Sequence, residues 1–480
     1  MTHAGRRARA LWTAAAVAIL AAAALAASPA PSAAPTASPA PAAKPSADWP
    51  QWRGPARNDV SPESSGYPAG WPPAALWKMN VGKGCTSPVL AGGRLYVMGF
   101  HGAERGRGTD TVFCLDARTG AAVWKQSYPS RYFSRLATGD ENAYGGPSST
   151  PTFDAATGRL YTLGIDGDLV CWDGRRGGAR VWAINLHDTY KPARRPDVGR
   201  GTRDYGFPGS PVVLGDVVLV EVGDDDGTVM AFDKATGRRR WRSEAGGFAG
   251  HSGGPVLFTV GGTPCLATLA LTKVIVMRLD AGHEGRTLAE FPWTTDFANN
   301  IPTPTAWPDH LVLTSAYNQS RTALLQVAPG GIREVWTTRD HTGVCSPVAY
   351  KGRLFMTAGP LKCLDAATGR RLWSGGQFGD GSCLVAAGDG RLIVFGNGRL
   401  VLFDTAADAY RELAAVENLS RATCYPHVAL AGGLIAVKDM EGNLVCLDTA
   451  RRATSKGAEA RPASRAANPA GGAAPGKPGG

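Results

Sequence analysis

Short apolar runs alternate with turns through the body of the chain, and one order of runs keeps returning. A unit opens on an apolar run after Ser-Pro or a close variant, turns on Gly, and gives a second apolar run. It ends in a third run that closes on Asp, a Thr-Gly turn and Trp. The third runs are Phe113-Cys114-Leu115-Asp116, Val170-Cys171-Trp172-Asp173, Met230-Ala231-Phe232-Asp233 and Met277-Arg278-Leu279-Asp280. They continue as Leu324-Leu325-Gln326-Val327, Lys362-Cys363-Leu364-Asp365, Val401-Leu402-Phe403-Asp404 and Val445-Cys446-Leu447-Asp448. That makes eight units, 38 to 60 residues apart. The runs are rich in Val, Leu, Ile, Phe and Tyr and are broken by Gly-Gly, Gly-Arg or Asp-Gly, which is strand patterning. Four short strands repeated around an axis make a β-propeller, so the sequence predicts an all-β, eight-bladed propeller of four-stranded antiparallel blades.

The clearest units share Asp-x-x-Thr-Gly-x-x-x-Trp, at Asp116 to Trp124, Asp233 to Trp241 and Asp365 to Trp373, with Trp182 and Trp336 in the same role one residue later. Each Trp is expected to lie over the neighbouring repeat, burying a large apolar face while its indole N–H finds a carbonyl. The fourth unit offers a residue near Phe291 and the seventh Leu413 in that place. The eighth unit ends without a Trp strand, whereas Leu76-Trp77-Lys78 stands unpaired before the first. The strand of Trp77 should therefore complete the last blade and join the two ends of the ring.

These repeats resemble those of the quinoprotein (pyrroloquinoline-quinone, PQQ) β-propeller superfamily. That superfamily includes PQQ-dependent alcohol dehydrogenases and the propeller lipoprotein of the outer-membrane β-barrel assembly machine. The stretch Asp48-Trp49-Pro50-Gln51-Trp52-Arg53-Gly54-Pro55 resembles the opening segment of exported PQQ-like propeller proteins. The resemblance spans roughly residues 48–450; it speaks to fold, and function must be argued from a site. It implies, for the enzymes, a quinone at the channel mouth capped by a disulfide between adjacent cysteines, with Ca²⁺ held by Glu, Asn and Asp and an Asp as base. This sequence has no adjacent cysteine pair and no Cys-x-x-Cys-His, and no Ca²⁺ ligand set can be matched residue by residue. No cofactor is therefore expected, PQQ with calcium being the alternative.

The ends read differently. Arg6, Arg7 and Arg9 precede an uncharged stretch from Leu11 to Ala27, the layout of a secretory signal peptide over residues 1–27; the rival reading is an uncleaved anchor. Residues 28–47 are a Pro/Ala/Ser linker, 48–450 the propeller, and 451–480 a disordered basic tail. The expectation is a protein exported to the periplasm or cell exterior, with no transmembrane span in the mature chain, or tethered if the signal segment stays. The 480 residues carry 51 basic and 40 acidic side chains, a net +11, of which +4 lies in residues 1–47 and +5 in 451–480. The remaining body is close to neutral at +2, which argues against nucleic-acid binding, since that wants a basic face on the folded domain.

Candidate chemistry is sparse. Asp224-Asp225-Asp226-Gly227 lies between two apolar runs and reads as a hairpin turn; Gly250-His251-Ser252-Gly253 does not make a nucleophile elbow. No metal site is expected. The segments joining each Trp strand to the next blade are more informative, because in a propeller they gather on one face. They carry Asn142, Tyr144, Tyr205, His251, Asn299, His341, Tyr425 and His427, which are candidates for a polar, aromatic-lined pocket at the channel mouth; the competing reading is that they hydrogen-bond one another to close the ring. The longest loops, Tyr128–Pro147 and Asn185–Pro208, are the expected partner-contact surface.

Of nine cysteines, Cys114, Cys171, Cys363 and Cys446 share one position inside an apolar strand and should be buried thiols. Cys85 and Cys424 share another repeat position, as do Cys345 and Cys383, so 85–424 and 345–383 are candidate disulfides. The functional expectation is an exported, non-catalytic, monomeric propeller that binds protein or polysaccharide partners of the cell envelope. A PQQ-dependent oxidoreductase and an outer-membrane assembly factor are the alternatives.

Overall fold

The computed structural model describes residues 48–102, 108–130, 145–201, 203–453 and 461–462. The expected signal segment, the linker, Asn142, Tyr144 and most of the tail lie outside these residues. Eight antiparallel sheets follow one another in chain order. The first blade consists of Val89–Ala91, Arg94–Gly102, Gly108–Asp116 and Ala122–Ser130. The others begin on Thr152, Val212, Val256, Thr305, Val348, Ser382 and Ala429. Second and third strands are buried almost throughout because each sheet is covered on both faces by its neighbours. Leu95 and Leu115 of the first blade, for example, share a core with Ile435 and Leu447 of the eighth.

The eighth blade has three strands from the C-terminal side, and its fourth is Pro73–Asn80, which pairs antiparallel with Asn443–Arg452. The predicted closure is therefore the observed one, and Trp77, 1% exposed, donates its indole N–H to the Ala117 carbonyl of the first blade at 3.0 Å. The same dock recurs: Trp124 to Gly174, Trp182 to Lys234, Trp336 to Ala366 and Trp373 to Ala407, at 2.8–3.2 Å, always reaching one blade onward. The Thr-Gly turn matters for a second reason beyond its positive φ. At Gly120 a β-carbon would sit 2.6 Å from the Trp77 ring, and at Gly369 2.5 Å from Trp336, so the turn is flattened to accept the incoming indole.

The two irregular blades depart from the reading by a register. In the fourth, the bulge that elsewhere precedes the Trp lies between Val276 and Met277, and Ala289 stands opposite Val276, two residues before Phe291. In the seventh, Ala414 lies opposite Leu402, beside Leu413. Asp280 is thus not the turn Asp of its blade and pairs instead with Arg278. The final strand runs to Arg452, and Arg461–Pro462 pair parallel with Pro73–Asn80, both inside the stretch expected to be unstructured.

All nine cysteines are free, so neither candidate disulfide is formed. In place of a bridge, Cys345 Sγ donates to the Asp380 carbonyl at 2.8 Å and Cys424 Sγ to the Ala422 carbonyl at 3.3 Å. A disulfide needs α-carbons within about 7 Å and β-carbons aimed at one another.

Candidate functional site

The segment before the closing strand runs across the axis of the ring and touches every blade. Trp49 bridges to Leu90 of the first blade, and the Pro50 carbonyl accepts from Phe153 N–H of the second. Arg57 donates to the Pro211 and Pro255 carbonyls at the entrances to the third and fourth blades. Arg53 donates to the Pro304 and Pro347 carbonyls of the fifth and sixth. Val60–Ser61 add a parallel strand to Ser382–Ala386 of the seventh, and Ser61 Oγ donates to Leu430 O of the eighth. Residues 49–61 therefore form an axle.

The charges on this axle are buried and matched. Arg53 pairs with Asp59, both side chains fully enclosed, and Asp59 faces His427 Nδ1 at 3.1 Å through both oxygens. Burial alone would raise the Asp59 carboxyl, but His427 and Arg53 hold it below the usual range. Burial pulls the Arg57 guanidinium down to about 9, with nearby Glu221 opposing, and pushes the Glu221 carboxyl up to about 7. Around the axle the inner strands are linked blade to blade. Ser87 N–H donates to Thr150, Thr150 to Ser210, Ser210 to the Gly253 carbonyl, Thr303 to Ser346, and His427 to Ser87, at 2.8–3.0 Å.

Trp52 lies at one end of the axle and lines a cavity of about 130 Å³. Seven of the eight connections between blades contribute to the wall: Cys85, Ser148, Tyr205 with Arg203 and Pro208, His251 with Gly253, Ile301, Val344, and Tyr425 with His427; Tyr317 adds a hairpin from the fifth blade. A cavity built from so many connections lies on the axis, at the channel mouth. Four of the expected residues, Tyr205, His251, Tyr425 and His427, meet there. Asn142 and Tyr144 lie outside the described residues. Asn299 is buried without a hydrogen bond to either amide atom, and His341 sits with Nδ1 2.9 Å from the Arg339 carbonyl; neither lines the cavity. Trp52, Arg203, Ile301, Tyr317 and Val344 were not anticipated. The only signal for Trp52 was its place in an aromatic and charged segment belonging to no repeat.

The histidines of the wall are engaged by their surroundings. His251 holds Nδ1 3.0 Å from the Ala298 carbonyl and accepts the Tyr205 N–H on Nε2 at 3.3 Å, which fixes a neutral ring. Burial, helped by Arg195, lowers its pKa to about 3. His427 is held by Asp59 and stacks obliquely on Trp52, centroids 4.4 Å apart. A quinone with its calcium does not fit this lining: none of its described residues carries a carboxylate or a side-chain amide, and the axis below is filled by Trp52 and the axle. Elsewhere, Asp224–Asp226 forms the expected hairpin turn, Asp226 N–H donating to Asp224 Oδ1. The connection 185–208 carries a short helix, Leu186–Tyr190, and is tied down by Arg195, which pairs with Asp204 and donates to the Ala249 and Gly250 carbonyls.

Among curated proteins the chain is similar to outer membrane protein assembly factor BamB of Burkholderia pseudomallei (strain K96243), 25% identical over 304 residues. That match takes in 62% of this chain and 58% of the relative, so the chain spans about three-fifths of the relative's length. It is 27% identical over 172 residues to quinohemoprotein alcohol dehydrogenase ADH-IIG of Pseudomonas putida, over 35% of this chain and 20% of that one. Among solved structures BamB from Moraxella catarrhalis shares the fold, with a TM-score of 0.50 at 10% identity, over 78% of this chain and 99% of that one. The family model described as outer membrane protein assembly factor BamB (PQQ_2) matches residues 73–145 and 143–375, more than half of the sequence, and the chain belongs to that family.

Proposed function

We propose that this protein is a non-catalytic, monomeric interaction scaffold of the cell envelope, exported by its N-terminal signal segment and taking protein partners in outer-membrane protein assembly. The axle is the observation that carries the reading. Four side chains that could do chemistry near the channel, Arg53, Arg57, Asp59 and His427, are engaged in holding the axle to five of the blades, and His251 is held neutral by backbone groups. What remains at the mouth is a rigid aromatic cup surrounded by loops, suited to docking. The role in outer-membrane protein assembly for which the relatives are named supports the choice of process.

The test uses the full chain. Tagged protein should co-purify with the outer-membrane assembly machinery from detergent-solubilised envelopes, and its deletion should lower the level of assembled outer-membrane barrels. Loading with PQQ and Ca²⁺ should give neither a bound quinone absorbance nor dye-linked alcohol oxidation. Quinone binding with turnover would overturn the reading.

A further inference from the structure

Three ring side chains of the mouth have their nitrogens engaged by the surrounding protein. Trp52 donates its N–H to Thr303 at 3.2 Å. His251 uses both ring nitrogens on backbone groups. His427 uses Nδ1 on Asp59, and its Nε2 lies 3.5 Å from the Ser346 N–H. These rings present faces and edges to the space, and Ile301, Val344 and Pro208 add aliphatic surface. A cation needs carboxylates, and the described lining supplies none. Arg203 brings a guanidinium to the lining, 4.4 Å from the Phe297 ring centroid. The volume of about 130 Å³ is close to that of an apolar cavity of ~150 Å³ that takes benzene.

From these features we infer that the channel-mouth cavity is a receptor for a single aromatic ring, uncharged or carrying a negative group. This rests on reading the mouth as a docking place and names what docks. Two sources share that chemistry: a small free aromatic molecule, and an aromatic side chain projecting from a partner protein. The wall supplies edge-to-face and offset-stacked partners for either.

The probe is indole, titrated against the full chain and followed by saturation-transfer NMR and calorimetry. Indole should bind saturably. Val344→Phe, which places a ring in the cavity, should weaken it at least roughly tenfold, whereas Val335→Phe on an exposed outer strand should leave it unchanged. Ile301→Phe serves as the second cavity-filling variant if Val344→Phe loses its native circular dichroism. Displacement of indole by a Gly-Gly-Trp-Gly-Gly peptide and not by its Ala twin assigns the ring to a partner's side chain; displacement by free aromatic carboxylates alone assigns it to a small molecule. Indole binding insensitive to both filling variants, no indole binding, or glucose or Ca²⁺ binding in its place, would overturn the inference. Envelope co-purification of a parent chain that binds no indole would leave the scaffold reading intact while the ring receptor fell, so the two fail separately.

Discussion

Replacing Arg53 by Met tests whether the axle holds the ring. The guanidinium is 1% exposed and donates to the Asp59 carboxylate, to Pro304 O at 3.3 Å, to Thr305 Oγ1 at 3.3 Å and to Pro347 O at 2.6 Å. Met fills most of the volume but supplies no donor. Pro347 O keeps a bond from Thr305 Oγ1, and Asp59 keeps His427, so neither is left bare. Pro304 O loses its bond to the guanidinium, and Asp59 loses the cation that helps offset its burial. Removing one partner of a buried, hydrogen-bonded ion pair costs about 3–5 kcal/mol, and nothing here lies outside that range. Urea denaturation of the full chain, followed by near-ultraviolet circular dichroism and by fluorescence, should show this loss with coincident midpoints from both probes. Asp59→Asn in the Arg53→Met background should cost less than Asp59→Asn alone, with a coupling of about 0.5–3 kcal/mol. A loss under about 1 kcal/mol with no coupling would mean the segment merely rests in the channel.

Trp77→Ala should destabilise by about 3–5 kcal/mol in the same assay, because it empties a buried dock between the eighth and first blades; an effect below about 1 kcal/mol would contradict closure through that strand. Gly369→Ala forces a β-carbon into the Trp336 ring at positive φ, and should cost about 1–3 kcal/mol, read as a lower melting midpoint. The pH dependence should be opposed in sign at two buried groups. Glu221, raised to about 7, stabilises the fold most below the unfolded carboxyl range and loses that contribution as pH climbs to about 7. His251, lowered to about 3, destabilises the fold increasingly as pH falls below the unfolded histidine value. Between pH 5 and 6.5 Glu221→Gln should therefore leave stability rising with pH and His251→Asn leave it falling, each by at most about 1.4 kcal/mol per pH unit. Identical slopes in the two variants would remove the assignment.

The blades were legible because one physical solution is written repeatedly. Each Asp-x-x-Thr-Gly-x-x-x-Trp states a turn, a positive φ and a dock, and several imperfect copies still agree on the period. Where a copy degenerates, as at Ala289, nothing marks the bulge and the register slips by two. The mouth was half legible for a related reason. Tyr205, His251, Tyr425 and His427 stand where the chain enters an inner strand, and composition identified them. Asn299 and His341 stand in the same segments, but Asn299 is buried in a turn, its N–H reaching the Asp296 carbonyl, and His341 folds back on the Arg339 carbonyl, so the wall falls to Ile301 and Val344 a few residues on. Thiols at matching positions misled because repeat equivalence fixes depth in a blade and leaves a sulfur free to donate to a nearby carbonyl, as Cys345 and Cys424 do.

The axle was illegible for the opposite reason: it occurs once. Its acceptors are carbonyls of Pro211, Pro255, Pro304 and Pro347, groups every residue possesses, so no side-chain pattern announces them. These prolines, each at the start of an inner strand, have no N–H to donate, and the hydroxyl residues Ser210, Thr303 and Ser346 just before three of them carry links between neighbouring blades. Their carbonyls turn to the axis, Pro211 and Pro347 accepting a threonine hydroxyl of the preceding blade as well, and two arginines on one short segment bond to four blades together. The head of the chain thus has two structural tasks, filling the axis with residues 49–61 and supplying the missing outer strand with 73–80. Truncation just before Pro73 would keep the second and delete the first. If the axle reasoning holds, such a chain retains the eighth blade's strand yet strips the Arg53 and Arg57 donors from four inner-strand carbonyls, and it should unfold well before the parent although all eight four-stranded blades remain encoded.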